Sequence, residues 1–252
     1  CDIPANEIKE LARRMVSNRT MISVSWSLTR QDHGEQPFWM AIMLASMIGQ
    51  IGLPGGGFGF GYSATNHIGG QFTILPGAAF PQAKNEIENF IPVARISDLL
   101  LKPNENFNFD GKKYKYPDTK IVYWAGGNPF HHHQDLNRLI KAWEKPDTII
   151  CNEWCWNTLA KRSDIVLPCT TPLERKDIMM TPRDPYVVSM SKLVDPYGQA
   201  RNDYEIFTGI AKKMGVEKKF TENRNQEEWQ EWIYNQTFDR AAAATVSYTH
   251  LT

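Results

Sequence analysis

Apolar residues follow two spacings along the chain, and turn-forming residues separate the segments that carry them. Apolar positions three or four residues apart predict helices over residues 4–16, 35–51, 92–101, 135–143, 203–214 and 227–238. Short apolar, β-branched or alternating runs predict strands over residues 20–28, 121–124, 148–151, 164–168 and 186–194. Strands that alternate with helices in this way are typical of an α/β fold with a mostly parallel sheet flanked by helices.

Residues 104–116 depart from this alternation. Aromatic residues alternate with polar ones on both sides of the dipeptide Asp110-Gly111. Because Asp-Gly is a strong signal for a two-residue turn, this segment is predicted to form a β-hairpin.

The segment 120–134 joins a predicted strand to a predicted helix through the turn Gly126-Gly127-Asn128-Pro129. Glycines let the backbone approach a ligand closely, and a helix N-terminus offers unpaired N–H groups to an anion. In open parallel sheets, nucleotides bind at this position. A glycine turn after a strand is also common without any ligand, so the turn alone supports both interpretations.

The next two predicted strands also end in polar residues. Asn152 and Glu153 end the second strand, at the position where a ribose or base is usually bound in such a unit. Thr170 and Arg175 follow the third strand, and their hydroxyl and guanidinium groups suit a phosphate or a pterin edge. The alternative for this loop is a structural ion pair between Glu174 and the neighbours of Arg175. Together the strand ends predict a nucleotide-binding type of sheet.

Near the start of the chain, Ser25, Trp26 and Arg30 lie where the strand predicted over residues 20–28 gives way to a loop. Side chains at that edge of a parallel sheet face ligands more often than not. The alternative is a core tryptophan and a solvated arginine.

The segment 35–51 is apolar on nearly all sides, which predicts a buried helix. A glycine-rich loop, residues 52–61, follows it. This loop lacks the Lys and Ser/Thr of a phosphate-binding loop and the spacing of the dinucleotide fingerprint, so both motifs are excluded. Residues 62–90 show no clear periodicity, and an irregular segment of that length tends to be functional.

Composition excludes several classes of protein. The 252 residues suit one large or two modest domains, and 28 basic residues balance 28 acidic ones, so no nucleic-acid or anionic-membrane partner is indicated. No apolar run approaches the roughly 18 residues of a transmembrane segment. The cysteines Cys1, Cys151, Cys155 and Cys169 lack the two-residue spacer of zinc and redox sites, so Cys151 and Cys155 are interpreted as small apolar fillers.

Six motifs occur in the order in which the molybdopterin oxidoreductases carry them. They are Trp26-x-x-x-Arg30, Asp32-His-Gly-Glu-Gln36, Gly49-Gln-Ile-Gly-Leu-Pro-Gly-Gly-Gly57, Gly126-Gly-Asn-Pro-Phe-His-His-His-Gln134, Leu167-Pro-x-Thr-Thr-x-Leu-Glu-Arg175 and Ala200-Arg-Asn-Asp203. Residues 3–238 therefore resemble that family, and most closely its branch of dimethyl sulfoxide, trimethylamine N-oxide and biotin sulfoxide reductases.

The resemblance implies an enzyme that holds molybdenum between two molybdopterin guanine dinucleotides and removes an oxygen atom from an S- or N-oxide. Such a cofactor carries the redox chemistry, and the protein supplies position and electrostatics. The resemblance places cofactor contacts at Ser25, Trp26, Arg30, Gly126, Gly127, Asn128, His132, Gln134, Asn152, Glu153, Thr170 and Arg175. Asn152 and Glu153 would face the guanosine end, and Thr170 and Arg175 the phosphate or pterin region.

The resemblance also implies that the chain is a fragment of a larger multidomain enzyme, inactive by itself. Residues 1–75 would be the C-terminal part of one cofactor-binding α/β domain and residues 76–240 a second one. Residues 241–252 are expected to be a non-native tail that does not continue the preceding helix. The serine that binds the metal in the family, and any export signal, would lie upstream of Cys1, so no metal ligand and no catalytic residue is assigned.

Some residues depart from the family pattern or allow another interpretation. Family members commonly carry Asn where this chain has Lys176, which puts a contact by that side chain in doubt but not one by Arg175. His33 is interpreted as structural, or as a residue behind the site, rather than as an acid–base catalyst. Neighbouring histidines in His131-His132-His133 point apart, so a hydrogen bond from one of them to the cofactor is preferred to a metal site.

Two other functions stay open at this point. One is a formate dehydrogenase or nitrate reductase type molybdoenzyme, which the Asp-His-Gly-Glu and triple-His motifs disfavour. The other is a non-catalytic nucleotide-binding module, which two separate strand-end sites disfavour. The expected partners are a small S- or N-oxide and an electron donor such as a cytochrome or another redox protein, in anaerobic respiration. A periplasmic location is favoured over the cytoplasm, where biotin sulfoxide reductases work.

Overall fold

The computed structural model describes residues 2–61, 77–82, 84–87, 89–180 and 186–249. The segment 62–76, which belongs to the stretch without predicted periodicity, lies outside these residues. The chain divides into two compact units, Cys1–Thr73 and Ile74–Thr252. No helix among the described residues is long and apolar enough to cross a membrane.

The first unit contains two helices and a pair of parallel strands. Its elements are α1 (Ala5–Ser17), β1 (Met21–Val24), a 3-10 helix (Trp26–Arg30), α2 (Glu35–Ile48) and β2 (Gly57–Phe60). Strands β1 and β2 pair in parallel. The buried side chain of Gln50 fixes the loops that enter them, because it accepts a hydrogen bond from Thr20 N at 2.8 Å and donates one to Asn18 O at 2.7 Å.

Helix α2 does not fit the prediction of a buried helix. Ala41 and Ala45 are buried, whereas the side chains of Trp39, Met40 and Met47 are 64%, 60% and 78% exposed. The physical reason is that the helix is apolar all round, while the short pair β1–β2 can cover one side of it. The prediction of a buried helix is therefore wrong for this chain.

The strand predicted over residues 20–28 ends at Val24. After it, the Ser25 hydroxyl accepts a hydrogen bond from Ser27 N at 3.3 Å, and the Thr29 hydroxyl donates to Trp26 O at 2.8 Å. Such local side-chain bonds favour a tight turn over an extended strand. Trp26 and Arg30 thus lie on a 3-10 helix that follows directly after the end of β1.

The second unit holds the larger part of the fold. Its helices and strands are α3 (Ile96–Leu101), β3 (Asn106–Phe109), β4 (Lys112–Lys115), β5 (Ile121–Ala125), α4 (Pro129–His132), α5 (Leu136–Trp143), β6 (Thr148–Glu153), β7 (Ile165–Pro168), β8 (Asp177–Met179), β9 (Val188–Met190), α6 (Asp203–Lys213), α7 (Glu217–Thr221) and α8 (Gln226–Thr249). Strands β5, β6 and β7 form a parallel sheet in that order, which confirms the strands predicted for this region.

The predicted hairpin is confirmed. Strands β3 and β4 pair antiparallel, and both residues of the Asp110-Gly111 turn have positive φ angles, +48° and +70°. The ring of Phe107 stacks on those of Tyr114 and Tyr116, with centroids 5.5 and 4.3 Å apart.

Helices cover both faces of the sheet. On one face, Ile149 and Cys151 of β6 pack in a buried cluster with Leu139 and Trp143 of α5, and α3 joins the same cluster. On the other face, Tyr123 of β5 contacts a ring of α6, with centroids 5.3 Å apart. Because side chains alternate along a strand, consecutive residues point to opposite faces of the sheet. A mostly parallel α/β arrangement flanked by helices is confirmed.

Near the C-terminus, one predicted strand is confirmed over part of its length and one other prediction is wrong. The strand predicted over residues 186–194 is shortened to β9, which pairs antiparallel with β8, a strand that the sequence did not predict. Helix α8 runs to Thr249, although residues 241–252 were expected not to continue it. The alanines of Ala241–Ala244 favour a helix, which explains the extension.

Candidate functional site

The strands β5, β6 and β7 end at one edge of their sheet, here called the carboxyl edge. Asn152 and Glu153 end β6 there, and β5 and β7 lead into the glycine turn and Thr170. A further segment joins this edge, because Arg201 N donates to Pro168 O at 3.1 Å and Thr170 N donates to Arg201 O at 3.0 Å. The N-terminus of α6 is thereby brought to the same edge.

The glycine turn leaves open space above it. Gly126 and Gly127 have φ angles of +84° and +72°, which glycine adopts without strain. A β-carbon on Gly126 would meet no atom within 4 Å, and one on Gly127 would lie 3.8 Å from Nε2 of His132. The indole of Trp124 anchors the turn by donating to Gly126 O at 2.9 Å. Backbone and space are thus both suited to a ligand that comes close.

Two polar atoms at the carboxyl edge lack partners. Asn128 begins α4, and its Oδ1 accepts from Phe130 N at 3.0 Å, but its Nδ2 is buried without a hydrogen-bond partner among the described residues. Oγ1 of Thr170 is in the same situation. Each residue is buried, 6% and 5% exposed. Leaving a buried donor unsatisfied costs about 1–3 kcal/mol, so both atoms point to acceptors that a ligand supplies.

His132 and Gln134 are exposed beside this turn. The half-buried histidine is His133, whose ring meets that of Trp124 edge-on at 5.9 Å. Burial and then the charge of His132 lower the pKa of His133. Among the described residues, no group of three or more His, Cys, Asp or Glu side chains is arranged to hold a metal ion.

Asn152 is buried, and both polar atoms of its side chain form hydrogen bonds with protein groups. Its Oδ1 accepts from the Tyr123 hydroxyl at 2.8 Å, and its Nδ2 donates to Oδ1 of Asp203 at 2.8 Å. Burial raises the pKa of Tyr123, so this hydroxyl remains a donor at neutral pH. The sequence analysis did not assign Tyr123 or Asp203 to the site. The alternation of side chains along β5 was a signal for Tyr123, because it places this side chain on the opposite face of the sheet from its two neighbours in the strand.

Glu153 organises the loop that follows β6. Its carboxylate accepts from Trp154 N at 2.9 Å and from Asn157 Nδ2 at 2.6 Å. The loop then presents Trp154 and Trp156 to solvent, 66% and 71% exposed. The carboxylate of Glu153 therefore holds its own loop in place.

Arg175 connects the loop after β7 to the next strand. Its Nη1 donates to Thr170 O at 2.8 Å, and its Nε donates to Oδ2 of Asp177 at 3.0 Å. Glu174 instead accepts from Thr171 N at 2.8 Å and from Tyr197 N at 2.8 Å, and these backbone bonds lower its pKa. Among the described residues Glu174 forms no ion pair, so the ion pair considered for this loop, between Glu174 and the neighbours of Arg175, is not found, and Arg175 pairs with Asp177 instead.

Two cavities adjoin Arg175. One, of about 570 Å³, has Thr170 and Lys176 in its wall. The other, of about 990 Å³, has Asp203 and several aromatic side chains in its wall. Cavities of roughly 300–1,000 Å³ are typical of small-molecule and cofactor sites.

The cysteines differ in their surroundings. Cys151 is fully buried in the core beneath β6, which fits the prediction of an apolar filler. Cys155 is exposed in the loop after β6, so the same prediction for Cys155 is wrong. Burial, and then the charges of Asp203 and Glu153, raise the pKa of Cys169 to about 11, so its thiol stays protonated at neutral pH.

Three of the predicted residues lie in the first unit. Ser25 precedes the 3-10 helix, and Trp26 and Arg30 begin and end it. Trp26 is 47% exposed, and its ring lies 5.8 Å from that of Phe60. It is therefore not a core tryptophan. The other predicted residues, from Gly126 to Arg175, come together at the carboxyl edge in the second unit or in the loops beside it.

A family model described as molybdopterin oxidoreductase matches residues 7–213. The chain belongs to the molybdopterin oxidoreductase family. This confirms the resemblance that the six motifs indicated.

Curated relatives match most of this molybdopterin oxidoreductase chain. A biotin sulfoxide reductase from Cereibacter sphaeroides is 46% identical over 239 residues, which is 95% of this chain and 32% of the relative. A trimethylamine-N-oxide reductase from Haemophilus influenzae is 46% identical over 261 residues, with 98% and 32% covered. A dimethyl sulfoxide/trimethylamine N-oxide reductase from Cereibacter sphaeroides is 44% identical over 263 residues, with 98% and 32% covered. The chain spans about a third of the length of these relatives.

Proposed function

We propose that this chain is part of a molybdenum enzyme that reduces S- or N-oxides and carries molybdenum bis(molybdopterin guanine dinucleotide). Membership of the family supports a molybdenum–pterin cofactor. The names of the relatives support a biotin sulfoxide, dimethyl sulfoxide or trimethylamine N-oxide substrate. The observation that carries the proposal is that the predicted cofactor residues of the second unit, from Gly126 to Arg175, lie at the carboxyl edge or in the loops beside it.

The residues at this edge fit a pterin dinucleotide. Such a cofactor brings phosphate, sugar and ring oxygens, which are acceptors for the two buried donors, Nδ2 of Asn128 and Oγ1 of Thr170. The space over Gly126 admits a group that a β-carbon would exclude. Gly126, Gly127, Asn128 and Thr170 would therefore hold the cofactor, with the Arg175 guanidinium beside them.

The cofactor supplies the two-electron redox chemistry of the reaction, in which an oxide, two electrons and two protons give the reduced compound and water. The described residues of this chain position and orient the cofactor. The backbone of the glycine turn approaches the cofactor, and buried amide and hydroxyl groups fix its orientation through directional hydrogen bonds. A cofactor held in one orientation reduces the entropy that is lost when an oxide is brought to the metal.

The proposal also covers further cofactor contacts, the domain boundaries, the electron donor and the location of the enzyme. Ser25, Trp26 and Arg30 contact the cofactor from the first unit, while residues 1–75 and 76–240 belong to two cofactor-binding domains. His132, Gln134, Asn152 and Glu153 lie along the dinucleotide. A cytochrome or another redox protein donates the electrons, and the enzyme works in the periplasm. These statements rest on the family resemblance of the motifs.

An assay of the full-length protein tests the proposed activity. With a reduced viologen dye as donor, we expect oxidation of the dye by at least one of dimethyl sulfoxide, trimethylamine N-oxide and biotin sulfoxide. Protein produced in a host that cannot make molybdopterin is the control and should be inactive. A molybdenum-loaded protein that reduces none of the three, or that acts on nitrate or formate instead, would refute the proposal.

A further inference from the structure

Gly34 is buried at the point where the 3-10 helix of the first unit (Trp26–Arg30) meets the start of α2. A β-carbon on Gly34 would lie 2.6 Å from Leu28 O and 2.8 Å from both Cα and the carbonyl carbon of Thr29. These are backbone atoms of the 3-10 helix, so they cannot turn aside as the end of a flexible side chain can. A side chain on Gly34 would therefore push the 3-10 helix away from α2.

A tight turn brings the two helices this close. His33 has a φ angle of +53°, Gly34 N donates to Gln31 O at 3.2 Å, and Gln36 N donates to His33 O at 3.0 Å. The side chain of His33 is 75% exposed, and a left-handed φ angle is uncommon for a residue other than glycine. The Asp32-His-Gly-Glu35 motif is thus a turn whose glycine sets the distance between the two helices.

Aromatic rings join the start of the 3-10 helix to α2 and β2. The ring of Trp26 lies 5.8 Å from that of Phe60, and Phe60 meets Phe38 edge-on at 5.3 Å. Phe60 ends β2 opposite Val24 of β1, and Phe38 lies in the first turn of α2. Because aromatic pairs prefer particular angles and distances, these contacts hold the Trp26 ring relative to both elements.

The side chains at the two ends of the 3-10 helix are open to solvent. Trp26 is 47% exposed, and Arg30 is exposed and belongs to none of the ion pairs among the described residues. The helix has only five residues, so a shift at Thr29 moves both ends with it. The middle of the helix rests on Gly34, whereas its ends are available to a ligand.

We propose that Gly34 and Phe60 are positioning residues, which place Trp26 and Arg30 for contact with the cofactor. Gly34 sets how closely the 3-10 helix approaches α2, and Phe60 sets the position of the Trp26 ring. The inference rests on the proposed function, in which Trp26 and Arg30 contact the cofactor. It assigns no cofactor contact to Gly34 or Phe60, because both act through the other two residues.

Gly34→Ala tests this arrangement in the full-length protein. Contacts of a β-carbon below 3.0 Å essentially do not occur in proteins, so the 3-10 helix has to move. The rate at which the purified protein loses molybdenum during dialysis should rise at least about tenfold, because a misplacement of about 1 Å can cost on the order of 100-fold. A variant that folds but takes up no molybdenum would be the extreme of the same result.

Gly56→Ala is the matched control. A β-carbon on Gly56 would lie 3.0 Å from Cβ and from O of Gln50, so this substitution also crowds the first unit. It acts on the loop after α2 and not on the 3-10 helix. The rate of molybdenum loss should therefore stay within about threefold of wild type, even if the unfolding temperature falls as it does in Gly34→Ala.

A double-mutant cycle with Arg30→Ala shows whether Gly34 acts through the 3-10 helix. If the new β-carbon weakens the cofactor contact by moving Arg30, Gly34→Ala should matter less in protein that already lacks the Arg30 side chain. The factor by which it raises the rate should then be at least about threefold smaller than in the wild-type background. A general loss of stability in the first unit would instead raise the rate by the same factor in both backgrounds.

Phe60→Leu provides a second test that does not depend on the folding of Gly34→Ala. Leucine keeps an apolar side chain but removes the ring that Trp26 contacts, so the rate of molybdenum loss should rise about threefold. Phe60→Tyr keeps the ring and should stay within about twofold of wild type. Thermal unfolding of every variant shows whether a change in rate comes from a change in fold.

The same measurements can overturn the inference. Equal rates in Gly34→Ala and Gly56→Ala, equal factors in the two Arg30 backgrounds, or a wild-type rate in Phe60→Leu would each do so. If the wild-type protein contains molybdenum and reduces an oxide alongside any of these results, the proposed function stands. A wild-type protein without molybdenum would contradict the proposed function and this inference together.

Discussion

Replacing Gly126 by alanine is expected to lower the molybdenum and guanine nucleotide content of the full-length protein at least about tenfold. The protein itself has room for the new β-carbon, since no atom would lie within 4 Å of it. The bound cofactor would leave no such room, because one of its groups is proposed to occupy this space. The φ angle of +84° adds backbone strain of about 1–2 kcal/mol for a non-glycine residue. Metal analysis and nucleotide release from the purified protein measure the effect.

Gly111→Ala is the matched control. Gly111 has a φ angle of +70° in the β3–β4 turn, and a β-carbon there would also meet nothing within 4 Å. It should therefore cost a similar 1–2 kcal/mol of stability, roughly, without any loss of cofactor. If both variants lost cofactor equally, the loss would reflect backbone strain and not the site.

Leu139→Ala is expected to lower the free energy of unfolding by about 2–5 kcal/mol. Leu139 is 0% exposed and sits in the cluster between α5 and the sheet, with Trp143 and Ile149. Truncation leaves a cavity there, and the rigid sheet can close it only in part. Urea unfolding followed by tryptophan fluorescence measures the change, because Trp143 belongs to the same cluster.

Leu136→Ala is the control for this change. Leu136 lies on the same helix and is 41% exposed, so the substitution should cost less than about 1 kcal/mol. A loss of stability as large as that of Leu139→Ala would mean that α5 does not bury the face that carries Leu139. In that case the carboxyl edge would lose its support, since α5 follows the glycine turn.

The sequence predicted the carboxyl edge well because its signals are local. A β-branched run, two glycines and a helix capped by Asp135 follow one another directly, so the strand, turn and helix could be placed without knowing their neighbours. Asp110-Gly111 similarly defined a hairpin by its own turn chemistry.

Long-range features could not be predicted in this way. Strand β8 forms because β9 pairs with it, and no local pattern announces that partner. The exposure of α2 depends on how much of a uniformly apolar helix its neighbours cover. Burial could not be deduced from apolar character alone, since the same pattern suits a helix covered on one side or on all sides.

The candidate site shows the same difference between local features, which the sequence predicts, and long-range features, which it does not. Asn128 and Thr170 could be chosen from their positions after strands, and the structure leaves each with an unsatisfied polar atom. The link from Asn152 to Asp203 spans 51 residues, so it becomes visible only in three dimensions. Pattern analysis identifies residues at strand ends but not which of them bind each other.

The most direct test of the central claim, that this chain helps to hold a molybdenum–pterin dinucleotide at the carboxyl edge, is metal and nucleotide analysis of the purified full-length protein. The account predicts about one molybdenum atom and about two guanine nucleotides per chain. A single nucleotide without molybdenum would contradict it and would indicate a simple nucleotide-binding module.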